Sequence, residues 1–198
     1  PSNNFHQLNL TGGYALSHAT RLAGGLSYGR NTQDDSYATS VVQASGTFPG
    51  SLHGLVITTH ADLKLTNQAT KDLLLSAGFK YNERDNQTAS NAYTWNTINE
   101  FGTTGQTAVN APMSNKKTEL EFAGDYRLSK DQKLRLSYNY EKINRWCNNG
   151  VANSGNGLIN FSSLATWGGT AYTATSCAEV PDSNENKLGA TYKLKVSD

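Results

Sequence analysis

The chain has 198 residues, 36% of them hydrophobic, with a mean hydropathy of −0.57, and no run approaches the ~20 apolar residues of a spanning helix, which excludes a helical membrane protein. Lys+Arg of 17 against Asp+Glu of 16 leaves a net charge of +1, too little for a basic footprint that would draw nucleic acid or anionic lipid. Gly 18 and Tyr 10 against Pro 4, with abundant Asn, Ser and Thr, describe a β protein with polar loops rather than a disordered tail.

In chain order, the dominant signal is a period of two held over long runs. Leu8, Leu10, Gly12, Tyr14 and Leu16 alternate with Gln7, Asn9, Thr11, Gly13 and Ala15. After Ser17-His18-Ala19, Leu22, Gly24, Leu26 and Tyr28 alternate with Arg21, Ala23, Gly25, Ser27 and Gly29, which predicts a hairpin over about 5–30. A second hairpin is predicted over about 54–84, with Leu55 to Leu65 and Leu73 to Tyr81 supplying the apolar positions and a turn near Asn67 to Lys71. A third, over about 116–146, places Leu120, Phe122, Tyr126, Leu134, Leu136, Tyr138 and Tyr140 on one face and turns at Ser129-Lys130-Asp131. A seventh strand covers about 185–196. The stretches Tyr14-Ala15-Leu16-Ser17, Leu63-Lys64-Leu65-Thr66, Tyr126-Arg127-Leu128-Ser129 and Tyr192-Lys193-Leu194-Lys195 form an internal repeat, each read as leading into a turn. The connections over about 31–53, 85–115 and 147–184 are long and polar. Short turns and long loops therefore alternate and lie at opposite ends of the sheet.

Runs of about twelve residues exceed the usual ~5 or 6 of a soluble strand. At ~3.3 Å per residue and a tilt near 40°, twelve residues rise about 30 Å, the height of a bilayer. A soluble sandwich would also bury one face of each sheet, so aromatic placement decides. Tyr14, Tyr126 and Tyr192 flank the short turns, and Tyr28, Phe79, Tyr81, Tyr138, Tyr140 and Trp146 lie toward the long loops, all on the apolar face. Such a pair of girdles frames a lipid-facing band. The charges found on that face, Arg30, Glu83 and Lys142, sit at the loop ends. The expected fold is an all-β, antiparallel, up-and-down transmembrane barrel in the bacterial outer membrane, with short turns toward the periplasm and long loops outside. An open edge is intolerable in lipid. The seven strands, in a chain that opens at Pro1 without a start Met or signal peptide, are therefore expected to form part of a larger barrel.

The polar face is the functional surface on this reading. It carries twelve basic residues against seven acidic ones, an excess of five over a whole-chain net charge of +1, suited to anions or to a partner with an acidic surface. Glu119 and Glu121 face Lys133 and Arg135 across the third hairpin, which predicts a salt-bridged ladder. The first hairpin instead offers small residues, and Thr11, Gly13, Gly25, Ser27 and Gly29 would let another backbone approach closely. Together with Arg21, His60, Lys64, Lys80, Lys117, Arg127 and Arg135 they are the residues expected to face a guest in the lumen. The four histidines, His6, His18, His53 and His60, are scattered and read as solvated or hydrogen-bonded, and Asp34-Asp35 as a solvated loop pair. No nucleophile–base pair, phosphate loop, metal-ligand spacing or C-x-x-C-H is present. No enzyme, no metal site and no haem attachment are expected in this chain. Cys147 and Cys177 bracket one exterior loop of about 30 residues. A disulfide there would contribute on the order of 3 to 4 kcal/mol, with a free thiol pair as the alternative.

The segments Pro112-Met113-Ser114-Asn115-Lys116-Lys117-Thr118, Tyr126-Arg127-Leu128-Ser129 and Arg145-Trp146-Cys147-Asn148-Asn149 resemble the MtrB/PioB family of decahaem-associated outer-membrane barrels. The stretch from Lys80 through Asn86 and the tail Glu185-Asn186-Lys187-Leu188 are similar to it as well. The resemblance implies a much larger barrel that sheathes a periplasmic decahaem cytochrome in its lumen and lets it meet an extracellular multihaem cytochrome at the long loops. The haem would belong to those partners, not to the barrel. Composition alone fits a general porin or solute channel equally well, and the long Asn- and Ser-rich loops would suit a secreted adhesin or lectin-like domain.

Overall fold

A computed structural model of the chain describes residues 3–36, 50–89, 92–99, 102–109, 112–147, 159–160 and 182–195. The strands are β1 (Asn4–Ala15), β2 (Thr20–Gln33), β3 (Gly54–Thr70), β4 (Leu73–Asn86), β5 (Ala92–Asn99), β6 (Gly102–Val109), β7 (Met113–Arg127), β8 (Gln132–Cys147), β9 (Ile159–Asn160) and β10 (Ser183–Leu194). Seven of them form one antiparallel sheet in the order β1-β2-β3-β4-β7-β8-β10. Each long strand pairs with the next long strand along the chain, an up-and-down meander that is not closed on itself.

The β1–β2 and β7–β8 turns share one design. Leu16 N–H donates to the Thr20 carbonyl at 2.9 Å, and Leu128 N–H donates to Gln132 at 3.0 Å. In each, a serine hydroxyl, Ser17 or Ser129, accepts the amide two residues on, from Ala19 or Asp131, the local turn chemistry serine favours. The second turn differs from the reading of Asn67 to Lys71 as the reversal. β3 runs on to Thr70 with a register shift between Gln68 and Thr70, and only Lys71 and Asp72 lie between the strands. Thr70 Oγ1 accepts the amides of Asp72 and Leu73 at 3.2 and 3.1 Å, which sets the turn there. Leu63-Lys64-Leu65-Thr66 thus does not lead directly into a turn.

The 85–115 and 147–184 connections also hold structure that their polar composition conceals. β5 pairs with β6, and β6 with the short β9, in a separate three-stranded sheet. The extensive contacts between elements run within each sheet. Among the described residues no second layer covers the seven-stranded one.

That bare sheet has almost no protein core. Among the described residues Ala123 and Pro112 are the buried apolar ones, while nineteen large apolar side chains, from Leu65 and Tyr138 at 37% to Leu188 at 83%, stand exposed. Cross-strand register explains where they stand, since directly paired residues share a face. One row runs Gly12, Gly24, Leu63, Phe79, Leu120 and Tyr140, and another Tyr14, Leu22, Leu65, Ala77, Phe122, Tyr138 and Leu188. An apolar surface of this extent, on strands of 12 to 17 residues, needs hydrocarbon against it.

At the loop end of this face the phenols meet polar groups. Tyr138 donates to Asn186 at 2.7 Å, Tyr140 to Asn184 at 3.4 Å and Tyr81 to Glu83 at 2.8 Å. Lys116 sits 5.9 Å from the centroid of the Trp146 ring. These amphipathic contacts belong at a headgroup boundary. Register adds Lys116 and Asp85 to the charges of the outer face, opposite Glu83 and Ile57 respectively. Both are at the loop end, so the aliphatic band stays free of charge.

Candidate functional site

The opposite face is polar and hollowed. A recess of about 620 Å³ is lined by His60, Lys64, Lys80, Glu119, Glu121, Arg135, Glu141 and Lys187, among others. Strand register builds it: one row runs Thr11, Gly25, Asp62, Lys80, Glu119, Glu141 and Glu185, and the next Gly13, Ala23, Lys64, Gly78, Glu121, Asn139 and Lys187.

Three carboxylates, Glu119, Glu141 and Glu185, stand side by side in that first row. Like charges directly opposite one another are destabilising, and the wall answers with cations. Lys117 bridges Glu119 and Glu141, the latter at 2.8 Å. Lys80 approaches Glu119 at 3.9 Å and Lys187 reaches Glu185 at 3.3 Å. Nearby, Arg135 donates to Asp125 at 2.7 Å and to Glu121 at 3.0 Å. His60 lies between Asn82, at 2.7 Å from Nδ1, and Asp62, at 3.2 Å from Nε2.

The ladder expected in the third hairpin is therefore present with different partners. Arg135 takes Glu121 as its charge would suggest, but Glu119 turns to Lys117 and Lys80, and Lys133 falls opposite Arg127 instead. Side-chain reach along the strand decided this, which a face assignment cannot supply.

Of the residues expected to face a guest, His60, Lys64, Lys80 and Arg135 line the recess, and Lys117 pairs with two of its carboxylates. Arg21 sits apart, in a shallow hollow with Ala15, Ser17 and His18 beside the first turn. Arg127 lies at the short-turn end of β7. Thr11, Gly13, Gly25, Ser27 and Gly29 share the polar face of β1 and β2. Part of their smallness has a reason within the sheet: a Cβ on Gly25 would come 2.8 Å from the Asp62 carboxylate, and one on Gly29 would meet Thr58 at 2.5 Å and the Phe5 ring at 2.9 Å. Gly13 is freer, its nearest neighbour being the Leu22 carbonyl at 3.5 Å.

Beyond the wall, Asp34 pairs with His53, a residue at φ 48°, a contact across the first long connection that separate readings of the two residues missed. At the same end Asp182 accepts the Arg145 amide at 2.9 Å and Asn144 Nδ2 at 2.6 Å. The backbone amide first, and Asn144 next, hold its carboxyl below the usual carboxylate range. Cys147 ends β8, while Cys177 lies outside the described residues.

The family model described as "outer membrane beta-barrel porin, MtrB/PioB" matches residues 1–198. The chain is also 30% identical over 155 residues to the outer membrane protein MtrB of Shewanella baltica (strain OS185), an alignment covering 73% of this chain and 20% of that protein. The chain thus spans about a fifth of its relative's length. This family is one of outer-membrane barrels and not a class of enzyme. An alternating seven-stranded meander with one lipid-compatible face, matched along its whole length, belongs to the MtrB/PioB family of outer-membrane β-barrel proteins.

Proposed function

We propose that these strands form part of the wall of a barrel that sheathes a periplasmic multihaem c-type cytochrome and presents it to an extracellular multihaem cytochrome. The family resemblance suggests the cytochromes. The observation that carries the reading here is the polar wall, a hydrated and internally ion-paired surface backed by an uninterrupted aliphatic band. Such a wall separates a charged protein from hydrocarbon without requiring a tight apolar fit. Electrons would pass between haems of the partners, since this sequence contains no C-x-x-C-H for haem attachment. Cys147 and Cys177 are proposed to close the third exterior connection as a disulfide.

A general porin is the second reading, favoured by the family description itself. Full-length protein isolated in mild detergent separates the two. Sheathing predicts a haem-staining protein in constant ratio to the barrel, and electron transfer across vesicles only when cytochromes are present. A reproducibly haem-free barrel that conducts ions by itself would overturn it in favour of the porin.

A further inference from the structure

The short-turn end of the polar face holds an arrangement that the wall does not compensate. Arg127 of β7 is directly opposite Lys133 of β8, which is directly opposite Lys193 of β10. Three cations therefore stand in one cross-strand row, all exposed, where opposed like charges weaken a sheet. None has a carboxylate within 4 Å among the described residues, although the three-carboxylate row farther up is bridged by lysines. Asp72 and Asp131 meet this end through their main chains, their carbonyls accepting the Arg127 and Lys195 amides at 2.8 Å each, while Asp125, two residues from Arg127 on the same face, is paired with Arg135. Arg135, the next cation along β8, is paired with both Asp125 and Glu121. Arg127 and Lys133 lie on strands with both neighbours present, so a further strand beside β10 could reach Lys193 alone.

Geometry narrows what the row would bind. At ~4.8 Å between strands, three strands spread the charges over about 10 Å, wider than one small anion. The adjoining outer-face row is Tyr126, Leu134 and Tyr192, so the cations point away from lipid. We infer that Arg127, Lys133 and Lys193 form a docking row at the periplasmic mouth for the acidic surface of the protein held in the lumen, engaging several of its carboxylates at once. This rests on the sheathing reading above and adds the place and chemistry of the contact.

The test uses the full-length barrel carrying Arg127→Gln, Lys133→Gln and Lys193→Gln together, beside a control with Lys71→Gln and Lys130→Gln, which removes cations from the turns. Because neutralising the row relieves repulsion, the variant barrel should fold, as heat-modified gel mobility will show. Expected is roughly tenfold weaker retention of the haem protein at moderate salt, with a flatter salt dependence and little change in the control. Restoring charge with Lys133→Arg and Lys193→Arg should keep wild-type retention. Carbodiimide coupling should join Lys133 or Lys193 to an Asp or Glu of the second protein. A loaded wild type whose triple variant retains haem protein with the same salt dependence overturns the docking row alone. So does a triple variant that loses only anionic phospholipid, or coupling confined to the barrel's own carboxylates. A wild type that never holds a haem protein overturns both this inference and the sheathing function.

Discussion

The β1–β2 and β7–β8 hairpins are built alike and finished differently. Both are long, both turn on a Leu-Ser step with the serine hydroxyl accepting an amide, and both present leucine and tyrosine outward. Inward, β1–β2 shows Thr11, Gly13, Ala23, Gly25 and Gly29, whereas β7–β8 shows Glu119, Glu121, Asp125, Lys133, Arg135 and Glu141. Hydrocarbon imposes one demand on every outer face, and the lumen imposes none that is uniform. The outer faces converge and the inner faces record local tasks.

Arginine placed in turn on each face of each hairpin should break this comparison most sharply. Leu10→Arg and Leu120→Arg, outward and near mid-strand, should each cost about 2–4 kcal/mol in folding into vesicles followed by urea titration. Thr11→Arg and Asn139→Arg, one position inward, should cost under about 1 kcal/mol. Equal losses on both faces would remove the distinction between them.

Steric tests come next. A Cβ on Gly24 would lie 2.6 Å from the Asp62 backbone carbonyl, which cannot swing away, so Gly24→Ala should destabilise by about 1–3 kcal/mol. Gly25→Ala should cost less, because the obstacle is a carboxylate that can rotate. Gly78→Ala should be tolerated, its nearest contact being Glu121 Cβ at 3.7 Å. The same urea titrations rank the three.

Lys117→Gln leaves Glu119 and Glu141 facing each other without their shared cation. With the lysine side chain 37% exposed, a loss of about 0.5–1 kcal/mol that shrinks in high salt is expected. Lys187→Gln, at 68% exposure, should change almost nothing. Asp182 gives the smallest effect. Its carboxyl is held below its ordinary range, so its contribution is present above the unfolded value near 3.9 and is lost as pH falls through the folded one. Protection of the Arg145 amide against hydrogen exchange should decline on acidification in the wild type and stay flat in Asp182→Asn.

The two faces were legible in the sequence because a strand's period of two writes them directly, from Leu8 to Tyr192. The end of β3 was not, since the reversal depends on Thr70 accepting two amides and on a register shift that composition does not mark. The β5–β6–β9 sheet was missed because its strands are short and the alternation of Tyr93 and Trp95 breaks off at Thr97 and Asn99, so no sustained apolar face marks them. At the candidate site the excess of positive charge was legible, but its distribution was not. Glu119 pairs with Lys117 and Lys80, Lys133 takes no carboxylate among the described residues, and the cationic row of Arg127, Lys133 and Lys193 emerges only from the register of three strands.

Site-directed spin labels walked along β8 from Leu134 to Tyr140, in full-length protein reconstituted into a bilayer, test the account most directly. Lipid-dissolved oxygen should relax labels at Leu134, Leu136, Tyr138 and Tyr140, while a water-soluble nickel chelate should relax those at Arg135, Ser137 and Asn139. Uniform accessibility to both reagents along the strand, or the opposite alternation, would contradict it.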